Sequence, residues 1–311
     1  MKALKLILTV VLTVLIGGSA VFAAETGGTG GYKARQFNGL VYKKTDGKEL
    51  KLNIHLPEKD GKTGKNLPVL IFISSGCWNS GVPGGGGFWT KFHGIERGFA
   101  VVNVGHRSLK EGTIFPAQVE DVKAAVRFLR ANAKKYHLDP ERFAVMGISS
   151  GGHLSLMLGI PNNYRQFDVG DHLDQSSQVQ RVICFYSLTD FPLHMPNLIK
   201  SKSCFMEVCG CTKKENGDWE ITPQALDRAK LCSPINYVEK DYAPTLLLHG
   251  VKDGVPISQS CIMYEKLKRS GVRTELFISN EGVHKYNTIA PDEVLEKMFF
   301  DFIQWNPQIS D

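Results

Sequence analysis

One stretch decides the fold: Phe143-Ala144-Val145-Met146-Gly147-Ile148-Ser149-Ser150-Gly151-Gly152-His153-Leu154. Its first four residues are apolar and read as a buried strand, and residues 153–157 can begin a helix, so the chain between them must reverse sharply. Gly147-Ile148-Ser149-Ser150-Gly151 fits G-x-S-x-G, a strand-to-helix turn that holds a serine hydroxyl out as a nucleophile. In a chain with 31 glycines the pentapeptide alone is a weak signal, and its seat between strand and helix supplies the specificity. Strand and helix approach so closely there that only small residues fit two before and two after the serine, the places of Gly147 and Gly151.

A serine hydroxyl is a poor nucleophile at neutral pH and needs a base, which in turn needs an orienting carboxylate. With this turn the partners follow in the order acid, then histidine. An apolar strand at 245–249 runs into Gly250-Val251-Lys252-Asp253, and the next, at 274–278, into Ser279-Asn280-Glu281-Gly282-Val283-His284. Both groups then sit on loops at the C-terminal ends of neighbouring strands, where open α/β sheets gather their sites. Asp253 is the expected acid and His284 the expected base; Asp241 and Asp292 fit no strand end. Among the nine histidines His153 is the main competitor, but it precedes the acid and reads as structural. Backbone donors for an oxyanion are expected from Ser150 and from the loop after strand 69–73, Ser74-Ser75-Gly76-Cys77-Trp78. Glycines 84–87, with no Lys-Ser/Thr after them, read as a flexible loop and not a phosphate cradle.

Working outward, short apolar runs at 69–73, 99–104, 143–146, 182–186, 245–249 and 274–278 suit strands buried on both faces. A strand at 50–55 alternates apolar and polar residues, and Asp46-Gly47 suggests a hairpin with residues 40–43. Helical patterns fall between them: Val119, Val122, Val126, Leu129 and Ala133 keep one apolar stripe over 119–136, and further helices are expected at 258–269 and 292–305. Alternation of strand and helix predicts a three-layer α/β sandwich around a mostly parallel eight-stranded sheet, in one domain over 37–311. Residues 190–243 break the rhythm and read as a small cap insertion, with a short helix near 223–230.

Ahead of that domain, Lys2 and Lys5 precede an uncharged run of eleven residues, Leu6 to Ile16, and then small residues to Ala23. This is the pattern of a secretory signal peptide over 1–23, too short for the roughly 20 residues that span a bilayer. Residues 24–36 are expected to form a flexible leader, and the working address is secreted or periplasmic, without a stable membrane anchor. Composition is that of an average globular chain, with 42% hydrophobic and 22% charged residues, which excludes disorder and membrane bundles. Basic residues exceed acidic ones by only 37 to 31, with no block of like charge, so no nucleic-acid partner is indicated. Of seven cysteines, Cys204, Cys209, Cys211 and Cys232 cluster in sequence and are expected to hold one or two disulfides. Cys77, Cys184 and Cys261 are isolated and expected to pack as small hydrophobes. The spacing lacks the paired CxxC of a zinc site, and no metal is expected.

Three segments resemble a known family: Phe115-Pro116-Ala117-Gln118-Val119-Glu120-Asp121-Val122, then Leu138-Asp139-Pro140-Glu141-Arg142, then Gly147 to Leu154. Together with Ser233-Pro234-Ile235, His249-Gly250 and His284, they resemble α/β-hydrolase serine esterases of the bacterial feruloyl and acetyl-xylan esterase branch, related to hormone-sensitive-lipase-like enzymes. The resemblance implies an α/β-hydrolase fold, a Ser149–His284–Asp253 triad, and an oxyanion hole from the N–H groups of Gly76, Cys77 and Ser150. It implies no cofactor. It also implies an ester substrate, acetyl or feruloyl groups on plant polysaccharide or oligosaccharide, with Trp78 as a wall for the sugar or acyl group. The family usually reads His-Gly-Gly-Gly-Trp where this chain reads Ser74-Ser75-Gly76-Cys77-Trp78, and the acid loop is one residue shorter than its common form. Other readings are an amide or small-ester hydrolase of unrelated metabolites, a prolyl-type peptidase, and a catalytically silent binding protein on the same scaffold.

Overall fold

The computed structural model describes residues 33–305 except 46, 80, 81, 84–90, 201 and 202. The expected signal peptide, most of the leader and the glycine run at 84–87 lie outside the described residues. The chain opens with the antiparallel pair β1 (Lys33–Thr45) and β2 (Lys48–Lys59), followed by the short β3 (Lys62–Thr63) against β2. Leader positions 33–36 therefore belong to β1, where Lys33 to Gln36 pair with Glu58 to His55.

The rest of the sheet is parallel: β4 (Leu67–Ile73), β5 (Ala100–Val104), β6 (Leu138–Ile148), β7 (Arg181–Phe185), then, past a two-residue strand pair outside the sheet, β8 (Thr212–Lys213) with β9 (Trp219–Glu220), β10 (Thr245–Gly250) and β11 (Thr274–Ser279). The sheet has nine strands where eight were expected: the main order is β1-β2-β5-β4-β6-β7-β10-β11, and the two-residue β3 pairs with β2 off this path. Every residue of β4 is buried, and its side chains alternate between two cores. Val69, Ile71 and Ile73 pack with Val119, Val122, Val126 and Leu129 of α1 (Ala117–Ala131) and with α2 (Ser150–Leu158). Leu70 and Phe72 face the other way, into the cluster that holds Phe299 and Phe302. A continuous apolar strand is what a sheet covered on both faces requires.

Chain order reverses at β4. From β4 the chain moves outward to β5 and returns to β6 on β4's other side, so the loops leaving β4 and β6 lie together at the switch point, the usual place for a site in such sheets. Ile73 pairs with Gly147, which sets the loop at 74–78 beside Ser149. Residues 190–243 lie between β7 and β10 and hold α3 (Phe191–His194), α4 (Cys204–Val208), the β8–β9 pair and α5 (Pro223–Cys232). The chain closes with α6 (Ser258–Arg269) and α7 (Asp292–Ile303). No helix among the described residues is long and apolar enough to cross a membrane.

The cysteines depart from the sequence expectation. Cys77 is bonded to Cys204, across 127 residues of sequence, while Cys209, Cys211 and Cys232 are buried free thiols. Clustering along the chain did not translate into pairing because α4 turns Cys204 toward the loop after β4. Cys184 is buried, as expected, and Cys261 is half-buried.

Candidate active site

Ser149 sits at φ 55°, ψ −119°, a conformation that a side chain rarely adopts and that costs of order 1–3 kcal/mol. The sequence enforces it from both sides. A Cβ on Gly147 would lie 2.0 Å from the Gly151 carbonyl oxygen, and one on Gly151 would lie 2.2 Å from that of Ile73, so β6, α2 and β4 approach as closely as they do only with glycine there. The Ser149 N–H donates to the Phe185 carbonyl at 3.0 Å, fastening the turn to β7.

Asp253 and His284 come from loops held together by a second close approach. A Cβ on Gly250 would fall 2.2 Å from the Gly282 carbonyl oxygen, and the Lys252 N–H donates to that oxygen at 3.0 Å. Across this junction His284 Nδ1 contacts the Asp253 carboxylate at 2.8 and 3.0 Å, while its Nε2 lies 2.9 Å from Ser149 Oγ. The Asp253 side chain is fully buried and also accepts the Val255 N–H at 2.7 Å; the His284 side chain is 42% exposed. Since the carboxylate only accepts, Nδ1 carries the imidazole proton, leaving Nε2 bare to accept from the serine hydroxyl. The structure thus joins the three residues singled out from sequence into one hydrogen-bonded chain. Asp292 is elsewhere, paired with Lys91 at 2.7 Å.

Two residues that sequence reasoning passed over support this chain. Tyr186, directly after β7, lays its ring 4.5 Å from the His284 imidazole, and burial, with the Asp253 charge nearby, holds its phenol well above the usual range and therefore neutral. His249 at the end of β10 bonds the Val255 carbonyl at 2.9 Å through Nε2 and Ser260 Oγ at 2.7 Å through Nδ1, pinning the short acid loop; burial lowers its pKa. Its position at the strand end was legible in His249-Gly250, though its role was not.

Ser149 and His284 open onto a cavity of about 780 Å³ whose walls include Phe72, Tyr186, Tyr286, Gly76, Cys77 and Lys285. Cys77 stands at φ 57° and Trp78 at φ 56°, so both left-handed positions are filled by residues with a Cβ, at roughly 1–2 kcal/mol each. Among the described residues the N–H groups of Gly76, Cys77 and Ser150 take no hydrogen-bond partner. Gly76 and Cys77 line the cavity itself, and Ser150 is the first residue of α2, where helix N–H groups are left unpaired.

Trp78 does not reach the cavity. It is 1% exposed, packed against Phe191 and Phe205, and its indole N–H donates to His153 Nδ1 at 3.2 Å. The expectation of a substrate wall is corrected: the left-handed turn sends the indole behind the loop, where its N–H finds the buried partner it needs. His153 Nε2 in turn donates to the Cys232 carbonyl at 2.7 Å, the structural role expected of it. Both ring nitrogens are committed to the neutral form, and burial pushes the pKa down to about 4 from 6.5. The unfolded chain therefore takes up this proton at higher pH than the folded one. The stabilisation is full above pH 6.5 and drains as pH falls through 4, up to ~3 kcal/mol. His153→Asn, destabilised at pH 7 by lost bonds, should close part of its gap to wild type at pH 4.5 in urea unfolding. A gap equal at both pH values would contradict this.

The family match covers residues 52–267 and carries the description BD-FAE. The chain belongs to the BD-FAE family. Among similar proteins, "Probable carboxylic ester hydrolase LipM" of Mycobacterium tuberculosis is 27% identical over 203 residues, 65% of this chain and 45% of that protein. The BD-FAE member described here spans about half the length of the curated relatives it matches, 45% and 49% for two of them. A solved "Truncated form of carbohydrate esterase from gut microbiota" superposes with TM-score 0.71 at 27% identity, covering 89% of this chain and 99% of that one. A bifunctional GH43-CE protein of Bacteroides eggerthii gives TM-score 0.69 at 31% identity, over 86% of this chain and 38% of that one. The fold is the α/β-hydrolase fold. Among the described residues no group of three or more His, Cys, Asp or Glu side chains is placed to hold a metal ion.

Proposed function

We propose that this BD-FAE member is a secreted serine carboxylesterase acting on acetyl or feruloyl esters of plant cell-wall carbohydrate. The observation that carries the reading is the hydrogen-bonded chain from Ser149 Oγ through His284 to Asp253 at the mouth of the cavity. Ser149 attacks the ester carbonyl as its proton passes to His284 Nε2. Asp253 holds the imidazole and stabilises its charged form. The carbonyl oxygen becomes an oxyanion, which the N–H groups of Gly76, Cys77 and Ser150 stabilise. His284 then returns the proton to the leaving alcohol, and water, activated by the same histidine, releases the acid from Ser149.

Support for the substrate class comes from the cavity and the relatives. Phe72, Tyr186 and Tyr286 offer aromatic faces, and Lys285 and Asn287 offer polar groups at the rim, a mixture suited to a sugar ring or an aromatic acyl group. One solved structure that this chain resembles carries the name carbohydrate esterase. Export is supported by the charged, apolar, then small pattern of residues 1–23 and by a disulfide, a bond that persists in oxidising compartments.

The test is a set of initial rates on p-nitrophenyl acetate, a feruloyl ester and acetylated xylan. Turnover of the first and of at least one plant ester is expected. Turnover of the small ester alone removes the cell-wall assignment and favours a small-ester hydrolase; no turnover of any ester removes the esterase reading.

A further inference from the structure

We propose that the Cys77–Cys204 disulfide is a strap that holds the loop after β4 in the conformation that presents its N–H donors, which makes Cys204 a positioning residue. The proposal rests on the esterase reading of the Ser149 site. Cys77 lines the cavity with Ser149 and His284, and its backbone stands at φ 57°, where a side chain is disfavoured and glycine is not. Something must hold it there. Locally, the Asn79 N–H closes the turn onto the Gly76 carbonyl at 3.0 Å, and the Leu109 N–H bonds the Trp78 carbonyl at 3.0 Å. Neither bond engages Cys77, whose covalent partner is Cys204.

The far end of the strap is a fixed point. Cys204 opens α4, whose first turn is capped by the Ser203 hydroxyl accepting the Phe205 N–H at 3.2 Å. The Phe205 ring packs on Trp78 with centroids 5.7 Å apart, and the Val208 carbonyl accepts the Phe115 N–H at 3.0 Å. The bond thus joins a disfavoured backbone position at the reacting centre to a short helix anchored on the body of the protein. Once it is cut, Cys77 is free to relax to negative φ, and that rotation swings the peptide units flanking it, turning N–H donors away from the oxyanion. The loss falls on the transition state, because the walls Phe72 and Tyr186 that receive the ground-state ester stay in place.

Dithiothreitol supplies the cut: its two thiols give up two electrons and two protons, the Cys77–Cys204 S–S bond becomes two thiols, and the reductant closes to its cyclic disulfide. The other described cysteines are already thiols, so thiol titration reports this bond. The experiment measures p-nitrophenyl acetate kinetics and inhibition by a trifluoromethyl ketone, whose adduct mimics the oxyanion, on oxidised and reduced wild type, Cys204→Ala and Cys77→Gly/Cys204→Ala. Reduction should lower kcat about 10- to 100-fold, part of the effect of removing a donor outright, and weaken the inhibitor in step, with KM changed less than about twofold. Cys204→Ala should match the reduced enzyme and ignore dithiothreitol. Cys77→Gly/Cys204→Ala should recover most of the lost kcat, because glycine holds a positive φ without a strap. Unchanged kcat in protein whose two new thiols have been counted, a loss accompanied by melting of the fold, or no recovery in the glycine variant would each overturn the proposal. An oxidised wild type that turns over no ester would overturn the esterase reading instead.

Discussion

Ser149→Ala should lose about 10⁵-fold or more in kcat on p-nitrophenyl acetate while keeping its circular dichroism spectrum and melting temperature. The loss is that large because the hydroxyl is the group that bonds to the substrate, and removing the nucleophile of such a unit disables the partners with it. Stability should hardly move. Ala carries the same Cβ into the same φ of 55°, so the strain at the turn is unchanged, and the one side-chain bond lost is the exposed contact with His284. A variant that retains more than about a hundredth of wild-type turnover would show that another group attacks the ester.

Asp253→Asn should cost about 10³–10⁴-fold in kcat with the fold intact. The argument is one of tautomers. Asp253 Oδ1 accepts the Val255 N–H at 2.7 Å, and an asparagine oxygen can keep that place, which puts the NH₂ at the Oδ2 position, 3.0 Å from His284 Nδ1 and able to donate to it. The imidazole then accepts at Nδ1 and carries its proton at Nε2, pointing at Ser149 Oγ. A protonated Nε2 cannot take the serine proton, so the base is present but in the wrong form. Asp253→Glu keeps the charge, but its extra methylene displaces the carboxylate in a buried site, so its activity should fall between wild type and Asp253→Asn. Initial rates from pH 6 to 9 check this; an Asp253→Asn enzyme within tenfold of wild type at every pH would mean that Asp253 does not orient the histidine.

What the sequence made legible follows from how local each constraint is. Gly147 and Gly151 announce the turn because a steric demand at fixed spacing leaves its mark within five residues. Asp253 and His284 were found at a distance of 31 residues, because each follows an apolar run that reads as a buried strand, and neighbouring parallel strands deliver their loops to the same end of a sheet. The cysteines were misread for the opposite reason: Cys77 and Cys204 stand 127 residues apart, and only the packing of α4 against the loop after β4 brings them together. Trp78 was placed in the substrate's path by its position beside the loop, whereas the left-handed backbone at 77 and 78 points the indole into the core toward His153. Nothing in local sequence marks a positive φ when the residue is not glycine. The β8–β9 pair, two residues a side, is too short to show any period.

The central claim is that Ser149 is the group that becomes acylated. It is tested most directly by treating the protein with paraoxon, a phosphorylating mimic of the acyl donor, and locating the adduct by peptide mass spectrometry. A single diethylphosphoryl group on Ser149, absent from Ser149→Ala and matched by loss of ester turnover in proportion to labelling, is the expected result. Labelling of Ser150 or another residue, or inactivation with Ser149 unmodified, would contradict it.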